Sequence, residues 1–434
     1  MNVKINYKRI AFKEIIKDVI AVRHIYSNKL FFLKDIAKEI WEFLDCRDRE
    51  KEIACNEIVE KLLSKFPYPE KIRDKIQMDV RKFLLSLFKE GVILIDNKEE
   101  KKDFDFLRRE NLFSNVSLLY KIYKENNYCL HVLLELNRKC NFKCKHCYLP
   151  FYSQRSYFDI QKLERLIYDL NEVKVFSVTF SGGEVFLENN ICEILTLFRE
   201  NNFLCSIITN GSCINKEHLT CLKDLGIAHI FITLYGTSEK SYERFTGVKA
   251  FSRVLNNIEK LLEVNIFPVL QFILNSTNVN EIEDFIRLAE DYKLHYEIDF
   301  RIFPKLNYDR SPLNIRLKPE EIYRLIKDKK LGFPSPMKCE PATLSAKIDF
   351  EGNVFPCNSL PFNLGNIFRK SFTAIWRSKK AECIRKKSMI PEICKSCDLL
   401  DKCINCPATA LLENKRIDKP SDFLCKITKM YYGK

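Results

Sequence analysis

The chain has 434 residues, of which 46% are hydrophobic, with only 11 glycines and 15 prolines. This composition indicates a folded globular protein of two or three domains and excludes a disordered chain or a small disulfide-stabilised domain. The formal net charge of +14 is compatible with nucleic acid, an anionic surface or an acidic peptide, and does not choose among them because no basic block stands out.

Cysteine is frequent, with 18 residues in the chain. The chain starts MNVKINYKRI, without an apolar signal region, and no stretch reaches the roughly 18 to 20 continuous apolar residues of a membrane span. We therefore expect a cytoplasmic protein with no membrane span, whose thiols stay reduced. Reduced thiols at short spacings indicate metal binding.

Residues 1–97 are predicted to form one small unit, in which short strands precede three helices. Strands are expected at 21–25 and around the pair Phe31 and Phe32. The apolar periodicity predicts helices at 35–44, 56–66 and 75–88, and a strand at 92–95 behind Gly91. This order is typical of a winged helix.

A winged helix most often binds DNA, but this unit is nearly charge-balanced and lacks the basic stripe that phosphate neutralisation favours. We therefore expect no nucleic-acid partner. The order of elements resembles the recognition element of enzymes that modify ribosomally made peptides, the RiPP recognition element. That resemblance implies that a precursor peptide adds a strand to the exposed edge of the wing and lays apolar side chains against the third helix.

A charged stretch at 97–110 predicts a linker, which we place at 98–126. From residue 127 strands alternate with amphipathic helices, which is typical of a parallel βα repeat and an α/β fold. Strands are expected at 132–136, 173–180, 204–208, 229–234, 269–274 and 297–300, and crossover helices at 160–170, 192–198 and 251–262. Six such units would form a partial (β/α)6 barrel over 127–320, with a lateral mouth for a chain-like substrate.

Three cysteines follow the first of these strands, Cys140, Cys144 and Cys147, at C-x3-C-x2-C spacing. A 4Fe-4S cluster held by three cysteines leaves one iron open to a ligand, whereas a four-cysteine site is closed. The alternatives are a structural zinc site that adds His146 and three buried cysteines that bind no metal. The spacing and its surroundings resemble the radical SAM family, in which S-adenosylmethionine (SAM) chelates the open iron.

Gly182, Gly183 and Glu184 directly follow the second predicted strand. Two glycines let the backbone approach a ligand closely. The triplet resembles the GGE element of the same family, which contacts the amino group of the methionine moiety. Val185 stands where the family usually has proline.

Further polar residues lie at the ends of the next strands. Thr209 and Asn210 follow the third strand, and Thr233 lies in the fourth, where the resemblance implies contacts to the ribose or carboxylate of SAM. Arg244 lies in a stretch that also resembles the family and is a candidate partner of that carboxylate, with an ordinary surface charge as the alternative.

The last unit, placed at 321–434, contains seven cysteines in an ordered pattern. They are Cys339, Cys357, Cys394, Cys397, Cys403, Cys406 and Cys425. The pattern resembles the SPASM extension of radical SAM enzymes, although two residues separate Cys403 from Cys406 where the family usually has three. Two zinc knuckles are the alternative for this region.

The SPASM resemblance implies two auxiliary 4Fe-4S clusters. One is held by a closed set of four ligands, which are Cys394, Cys397, Cys403 and Cys425. The other is held by an open set of three, which are Cys339, Cys357 and Cys406. Three protein ligands leave a vacancy, which either binds a substrate thiolate or takes Cys383 as the fourth ligand.

Together the resemblances imply a radical SAM/SPASM enzyme that installs a crosslink, with a cysteine thioether as the leading candidate, in a precursor peptide bound through its leader. Its cofactors would be three 4Fe-4S clusters and SAM, whose cleavage yields a 5'-deoxyadenosyl radical, and its reductant a flavodoxin or ferredoxin. A carbon–carbon or carbon–oxygen crosslink, epimerisation, a sulfatase-type formylglycine maturase and an iron–sulfur DNA-binding regulator are the alternatives. The sequence identifies no catalytic base.

Overall fold

The structure, a computed structural model, describes residues 1–16, 19–24, 29–45, 49–65, 73–96, 98, 113–153, 157–336, 339–387 and 389–433. The strands in these ranges are β1 (Asn2–Ile5), β2 (Ile10–Ile16), β3 (Val19–His24), β4 (Leu30–Lys34), β5 (Ile53–Ala54), β6 (Ile93–Ile95), β7 (His131–Asn137), β8 (Ser177–Gly182), β9 (Leu204–Thr209), β10 (His229–Leu234), β11 (Val269–Ile273), β12 (Tyr296–Asp299), β13 (Ser345–Ile348), β14 (Asn353–Phe355) and β15 (Gly365–Asn366).

The helices of the same ranges connect these strands and follow them. They are α1 (Asp35–Leu44), α2 (Cys55–Lys65), α3 (Arg73–Lys89), α4 (Phe113–Glu125), α5 (Ile160–Glu172), α6 (Ile191–Glu200), α7 (Lys216–Leu225), α8 (Glu239–Thr246), α9 (Phe251–Glu263), α10 (Ile282–Asp291), α11 (Pro319–Lys327), α12 (Phe372–Trp376), α13 (Lys379–Lys386), α14 (Glu392–Lys395), α15 (Pro407–Asn414) and α16 (Asp422–Tyr431). Among the described residues, no helix is both long and apolar enough to cross a membrane.

A nine-stranded sheet forms the centre of the protein, in the order β12-β11-β10-β9-β8-β7-β13-β14-β15. The six strands β7 to β12 pair in parallel and in chain order, so the predicted βα repeat and the α/β partial barrel are confirmed. Parallel neighbours need a crossover between them, and the helices α5 to α10 provide it. The buried apolar side chains of one sheet face and of these helices form the main core.

Most strand boundaries of the barrel lie within one residue of their predictions, but one differs by four. The strand expected at 173–180 begins only at Ser177. Val173 instead caps the end of α5, and Lys174 adopts a left-handed φ of 58°, which breaks the extended run. An apolar pattern cannot show this turn because Val173 and Val175 are both buried in the core anyway.

The N-terminal unit confirms the three predicted helices as α1, α2 and α3, and the first keeps its predicted bounds. The predicted strands at 92–95 and around Phe31 correspond to β6 and β4, and the one at 21–25 to β3, with residue 25 outside the described residues. The prediction missed β1, β2 and β5. Two small sheets result, in the orders β5-β1-β6 and β2-β3-β4.

The sheet β2-β3-β4 lies between the N-terminal helices and the floor of the barrel, meaning the amino ends of its strands. Alternate side chains such as Phe12 and Val22 pack on the helices, whereas Ala11 and Ala21 face the barrel. Their neighbours there include Phe176, which directly precedes β8. The N-terminal unit therefore closes the barrel at the end opposite to the cysteine-bearing loop.

The C-terminal unit joins the barrel differently, because β13 extends the central sheet by pairing in parallel with β7. Part of the predicted linker 98–126 is the helix α4, which packs against β2 and β4 through residues such as Leu119 and Tyr123. Residues 99–112 of that linker lie outside the described residues.

Candidate functional site

The cysteine loop, residues 140–147, leaves the carboxyl end of β7 and is held against the end of α8. The backbone amide of Lys143 donates to Thr246 O at 2.9 Å, and that of Lys145 donates to Phe245 O at 3.2 Å. These bonds connect the loop to the stretch around Arg244, which the sequence assigned to cofactor binding. The stretch therefore supports the loop whatever else it does.

Two rings of the cysteine loop insert among aromatic side chains of the barrel. The ring of Phe142 lies 6.2 Å from the rings of both Tyr235 and Tyr242, in edge-on contacts. The ring of His146 stacks on Phe245 with 5.3 Å between centroids. This ring packing adds to the backbone hydrogen bonds in ordering the loop.

The thiols of Cys140, Cys144 and Cys147 lie near one another in this loop. Burial is the main cause that raises the pKa of all three, to about 12 for Cys140, and the neighbouring thiols add to the rise for Cys140 and Cys144. Thiolates gathered in such a place need a bound cation to offset their charge, and a metal deprotonates the thiols it binds. The donor set therefore fits an iron–sulfur centre.

The zinc alternative at this loop requires His146 as a ligand beside the three thiols. Among the described residues, no group of three or more His, Cys, Asp and Glu side chains lies close enough together to hold a single metal ion. A zinc ion gathers four ligands within about 2.0 to 2.3 Å, whereas each thiolate of a 4Fe-4S cluster can bind a different iron atom. His146 is stacked instead, and burial lowers its pKa to about 4.

Gly182 and Gly183 bring their backbone against the first residues of the cysteine loop. A Cβ on Gly182, whose φ is 140°, would lie 2.3 Å from Asn137 O, and one on Gly183 would lie 2.0 Å from Lys139 O. The amide of Gly183 donates to Asn137 O at 2.9 Å. Both glycines are thus required for contact between the two loops, besides any approach of a ligand.

Glu184 is fully buried, and its carboxylate is engaged within the protein. Oε1 accepts a hydrogen bond from Thr209 Oγ1 at 2.6 Å, and Oε2 accepts one from Asn210 N at 2.8 Å. Burial raises the pKa of Glu184, and these bonds oppose the rise. The side chain therefore joins the loops after β8 and β9.

The prediction missed two members of this network, Asn141 and Ser212. Asn210 Nδ2 donates to Asn141 Oδ1 at 2.9 Å, and Asn141 Nδ2 donates to Ser212 Oγ at 2.8 Å. Asn141 could have been found, since it is the polar residue directly after Cys140. Nothing in the sequence distinguishes Ser212 from an ordinary loop serine.

Thr233 and Arg244 occupy different surroundings. Thr233 is buried near the end of β10. Arg244 is exposed on α8, and its Nη1 donates to Thr277 O at 3.4 Å, not to another predicted cofactor-binding residue. The structure thus brings the glycine turn, Glu184, Thr209 and Asn210 together and leaves Arg244 at the surface.

The sheet face opposite to the crossover helices, here called the lumen face, is mixed, because it carries many polar side chains beside apolar ones such as Leu133, Phe231 and Val269. By alternation along the strands it carries Glu135, Thr179, Ser181, Ser206, Thr233, Gln271, Glu297 and Asp299. A closed βα barrel fills its interior with branched apolar side chains. A face that mixes apolar and polar side chains indicates instead a space that receives a ligand.

The members of each C-terminal cysteine set also lie near one another. In the open set, burial raises the pKa of Cys339 to about 12, and the adjacent Cys406 and Cys357 add to the rise. In the closed set, Cys394 and Cys425 likewise have pKa values raised by burial and by other members of the set. The remaining candidate for the open set, the exposed thiol on α13 at position 383, makes no described contact with it.

Two sequence families match the chain. Residues 134–291 match the Radical SAM superfamily, and residues 339–398 match SPASM, an iron-sulfur cluster-binding domain. The first match contains the cysteine loop, the glycine turn and the loops after β9 and β10. The second contains Cys339, Cys357, Cys394 and Cys397.

Curated relatives share parts of this region. The Fe-coproporphyrin III synthase of Methanosarcina barkeri is 31% identical over 169 residues, covering 38% of this chain and 41% of that protein. The subtilosin biosynthesis protein AlbA of Bacillus subtilis is 26% identical over 293 residues, covering 63% of this chain and 65% of AlbA. The chain spans less than two thirds of either relative.

Solved structures resemble the fold over more of the chain. Streptococcus suis SuiB bound to its precursor peptide SuiA has a TM-score of 0.60 at 17% identity, covering 98% of this chain and 100% of SuiB. The protein anSMEcpe with bound AdoMet has a TM-score of 0.55 at 19% identity, covering 70% of this chain and 92% of that one. At these identities the likeness shows a shared fold.

Proposed function

We propose that this chain, a radical SAM protein with a SPASM iron–sulfur domain, installs a crosslink in a ribosomally made precursor peptide. One observation carries the proposal. The strand β13, which lies just after the first cysteine of the open set, pairs with β7, which leads into the cysteine loop. The two kinds of cysteine site therefore belong to one sheet and can act on one substrate along its lumen face.

The residues of the cysteine loop would hold a 4Fe-4S cluster, and the glycine turn with Thr209, Asn210 and Thr233 would hold SAM. Bound together, these cofactors supply a 5'-deoxyadenosyl radical that removes a hydrogen atom from the substrate. The protein's own contribution is to position the substrate carbon and to exclude water. The packed rings around Phe142 and His146 keep the loop ordered for that purpose.

The product we propose is a cysteine thioether. The open set has three cysteines, so a cluster held there keeps one iron available, and a thiolate of the peptide is a suitable ligand for it. The exposed position of Cys383 on α13 supports this assignment over an eighth protein ligand. With one cluster in the cysteine loop, one in the closed set and one in the open set, the chain would contain three clusters.

The leader of the peptide would bind to the N-terminal unit, within proposed boundaries of 1–97. A cavity of about 260 Å³ lies between α1 and α3 and is lined by apolar side chains that include Ile36, Ile40, Ile76 and Phe83. Such a groove accepts apolar side chains of a peptide. SuiB, whose fold this chain shares, has been solved with its precursor peptide.

The first test is formation of 5'-deoxyadenosine by anaerobically reconstituted protein, reduced by dithionite or by a flavodoxin or ferredoxin, and given SAM. We expect product from the parent and none from Cys144→Ala. Cys383→Ala is the matched control, because it removes an exposed thiol outside the three sets and should retain product. Reconstitution that yields zinc in place of iron would overturn the proposal.

The second test is the mass of the peptide product once a cysteine-containing precursor is identified. A thioether requires the loss of two hydrogens and the protection of one cysteine from alkylation. A two-hydrogen loss with every cysteine still alkylated would instead establish a carbon–carbon or carbon–oxygen crosslink. An unchanged mass with inverted stereochemistry would establish epimerisation.

A further inference from the structure

The lumen face carries one ion pair that is almost completely buried. Glu135 on β7 is 0% exposed and Lys347 on β13 is 2% exposed, and Lys347 Nζ lies 3.6 Å from Glu135 Oε1. The hydroxyl of Tyr148 donates to the same Oε1 at 2.9 Å. The second carboxylate oxygen, Oε2, is buried and accepts no hydrogen bond from the described residues.

Such a pair is not explained by stability. Two charges lose their hydration on burial, and the attraction between them repays that loss only with short contacts and fully satisfied hydrogen bonds. Here the two charged atoms are 3.6 Å apart and one carboxylate oxygen is unsatisfied. Apolar side chains at these two positions would hold β7 and β13 together at least as well. The presence of two charged residues there therefore needs an explanation other than stability.

The position of the pair between two cysteine sites supplies that reason. On one side, Tyr148 follows Cys147 of the cysteine loop directly and contacts Glu135. On the other side, Lys347 Nζ lies 4.7 Å from the centroid of the Phe355 ring, and Cys357 of the open set follows two residues later.

The register of the sheet fixes this second contact. Lys347 is the direct partner of Phe355 in the pairing of β13 with β14. Lys347 therefore lies on the side of the pair nearer to the open set, and Glu135 lies on the side of the cysteine loop.

We infer that Glu135 and Lys347 are positioning residues that set the reduction potential of the cluster held by the open set, with Lys347 favouring its reduced form and Glu135 opposing it. The inference rests on the proposed function, since it requires a cluster at Cys339, Cys357 and Cys406.

The physical reason is that an added electron makes a cluster more negative. A fixed cation nearby stabilises that state, and a fixed anion destabilises it. Burial strengthens both effects because little water screens them. If the cluster accepts the electron released when the crosslink closes, the lysine makes that acceptance more favourable.

The chain contains a matched control pair. Lys139 and Glu188 are also joined at 3.6 Å, and Glu188 is likewise buried. That pair lies beside the start of the cysteine loop, and the described contacts do not connect it with the open set. Its removal should therefore leave the cluster of the open set unaffected.

The experiment is a redox titration of the reconstituted full-length protein, followed by electron paramagnetic resonance. The signal of the open-set cluster is the one lost in Cys357→Ala. We expect Lys347→Met to lower its reduction equilibrium constant at least tenfold, which is about 59 mV for a one-electron couple. Glu135→Gln should shift the midpoint potential of the same cluster in the opposite direction. Lys347→Arg should keep the potential of the parent, and Glu188→Gln should not change it.

The outcomes separate the inference from the function beneath it. Iron sufficient for one cluster only, with no signal sensitive to Cys357→Ala, would contradict the proposed function. Three clusters with shifts of the same sign in Lys347→Met and Glu135→Gln, or with no shift, would overturn the inference. Loss of iron in Lys347→Met and Glu135→Gln alike would also overturn it, because the pair would then hold the sheet together and nothing more.

Discussion

The two units attached to the barrel differ in where their own stability comes from. The N-terminal unit has an independent core, formed on one side of the sheet β2-β3-β4 by residues such as Trp41 and Leu84. The C-terminal unit shares the core of the barrel through Trp376 and Leu424, and its separate apolar cluster is small. The first unit is therefore a domain that docks, and the second is an extension of the barrel.

The difference is greatest at the cysteines of the closed set. The segment 389–406 buries a few apolar side chains, such as Leu399 and Ile404, and is otherwise held by short turns such as the bond from Cys397 N to Cys394 O at 3.1 Å. Ile393 beside them is 75% exposed. The cysteine loop of the barrel, in contrast, is packed among aromatic rings, so we expect only the C-terminal segment to depend on its metal for order.

Removal of iron is expected to have the largest effect, and it should act on the C-terminal segment alone. In the apo protein, backbone amides of 389–406 should exchange hydrogen roughly 100-fold faster than in the reconstituted protein, because metal binding there supplies the folding energy. The N-terminal helices α1 to α3 should exchange at the same rate in both forms. Hydrogen exchange read by mass spectrometry measures all of these segments in one sample.

Either of two results would contradict this difference between the two units. Equal protection of 389–406 with and without iron would show that its turns suffice. Loss of protection in α1 to α3 on iron removal would show that the N-terminal unit depends on the rest of the chain, in spite of its own core.

The second test concerns the contact by which the N-terminal unit docks. Gly226 caps α7 in a left-handed conformation with φ of 61°, and a Cβ there would lie 1.8 Å from Lys8 O in the turn between β1 and β2. Gly226→Ala should therefore lower the free energy of unfolding by about 3 kcal/mol, through strain and through displacement of that turn. Denaturant unfolding followed by circular dichroism measures the change.

Gly247→Ala separates the two causes. Gly247 caps α8 in the same conformation, with φ of 77°, but no atom lies within 4 Å of its added Cβ. That variant should cost only the strain, about 1 kcal/mol. Equal losses in the two variants would mean that the contact with Lys8 contributes nothing to docking.

The sequence predicted the parts of this molecule that depend on local pattern. The helix at 35–44 and the strand at 229–234 have the predicted bounds, because each is a clean run of its own periodicity. The cysteine spacing likewise identified the loop at the end of β7.

Long-range pairings could not be predicted in the same way. Nothing local in β13 shows that it will lie beside β7, or that Lys347 will meet Glu135. The short strands β1 and β5 form only because they pair with each other and with β6. For the same reason the glycine turn could be linked to a ligand by resemblance, while its contact with Lys139 O could not be foreseen.

The smallest expected effect concerns Lys13, which lies where the N-terminal unit contacts the barrel floor. Lys13 on β2 is buried there, and its ammonium lies 3.8 Å from the centroid of the Phe203 ring and donates to Asn171 Oδ1. Burial, with a contribution from Lys174, lowers the pKa of Lys13 to about 7. In the unfolded chain the same group keeps its ordinary pKa of about 10.4.

The sign of the pH dependence follows from these two values. Below pH 7 both states hold the proton, so the folded protein carries the full cost of a buried charge. Between pH 7 and pH 10 the unfolded state binds more protons, and stability rises with pH. The rise attributable to Lys13 should be about 1 kcal/mol between pH 6 and pH 8, and Lys13→Met should lack it.

Lys34→Met is the control, because Lys34 belongs to the same small sheet but is exposed. Its unfolding free energy should follow that of the parent across the pH range, whereas Lys13→Met should be more stable than the parent at pH 6, by a margin that shrinks steadily as the pH rises towards 10. Parallel curves for all three proteins would show that the floor of the barrel admits water at Lys13. The docking surface of the N-terminal unit would then contain water, although its neighbouring side chains are apolar. The C-terminal unit differs, since its strand β13 is hydrogen-bonded directly to β7.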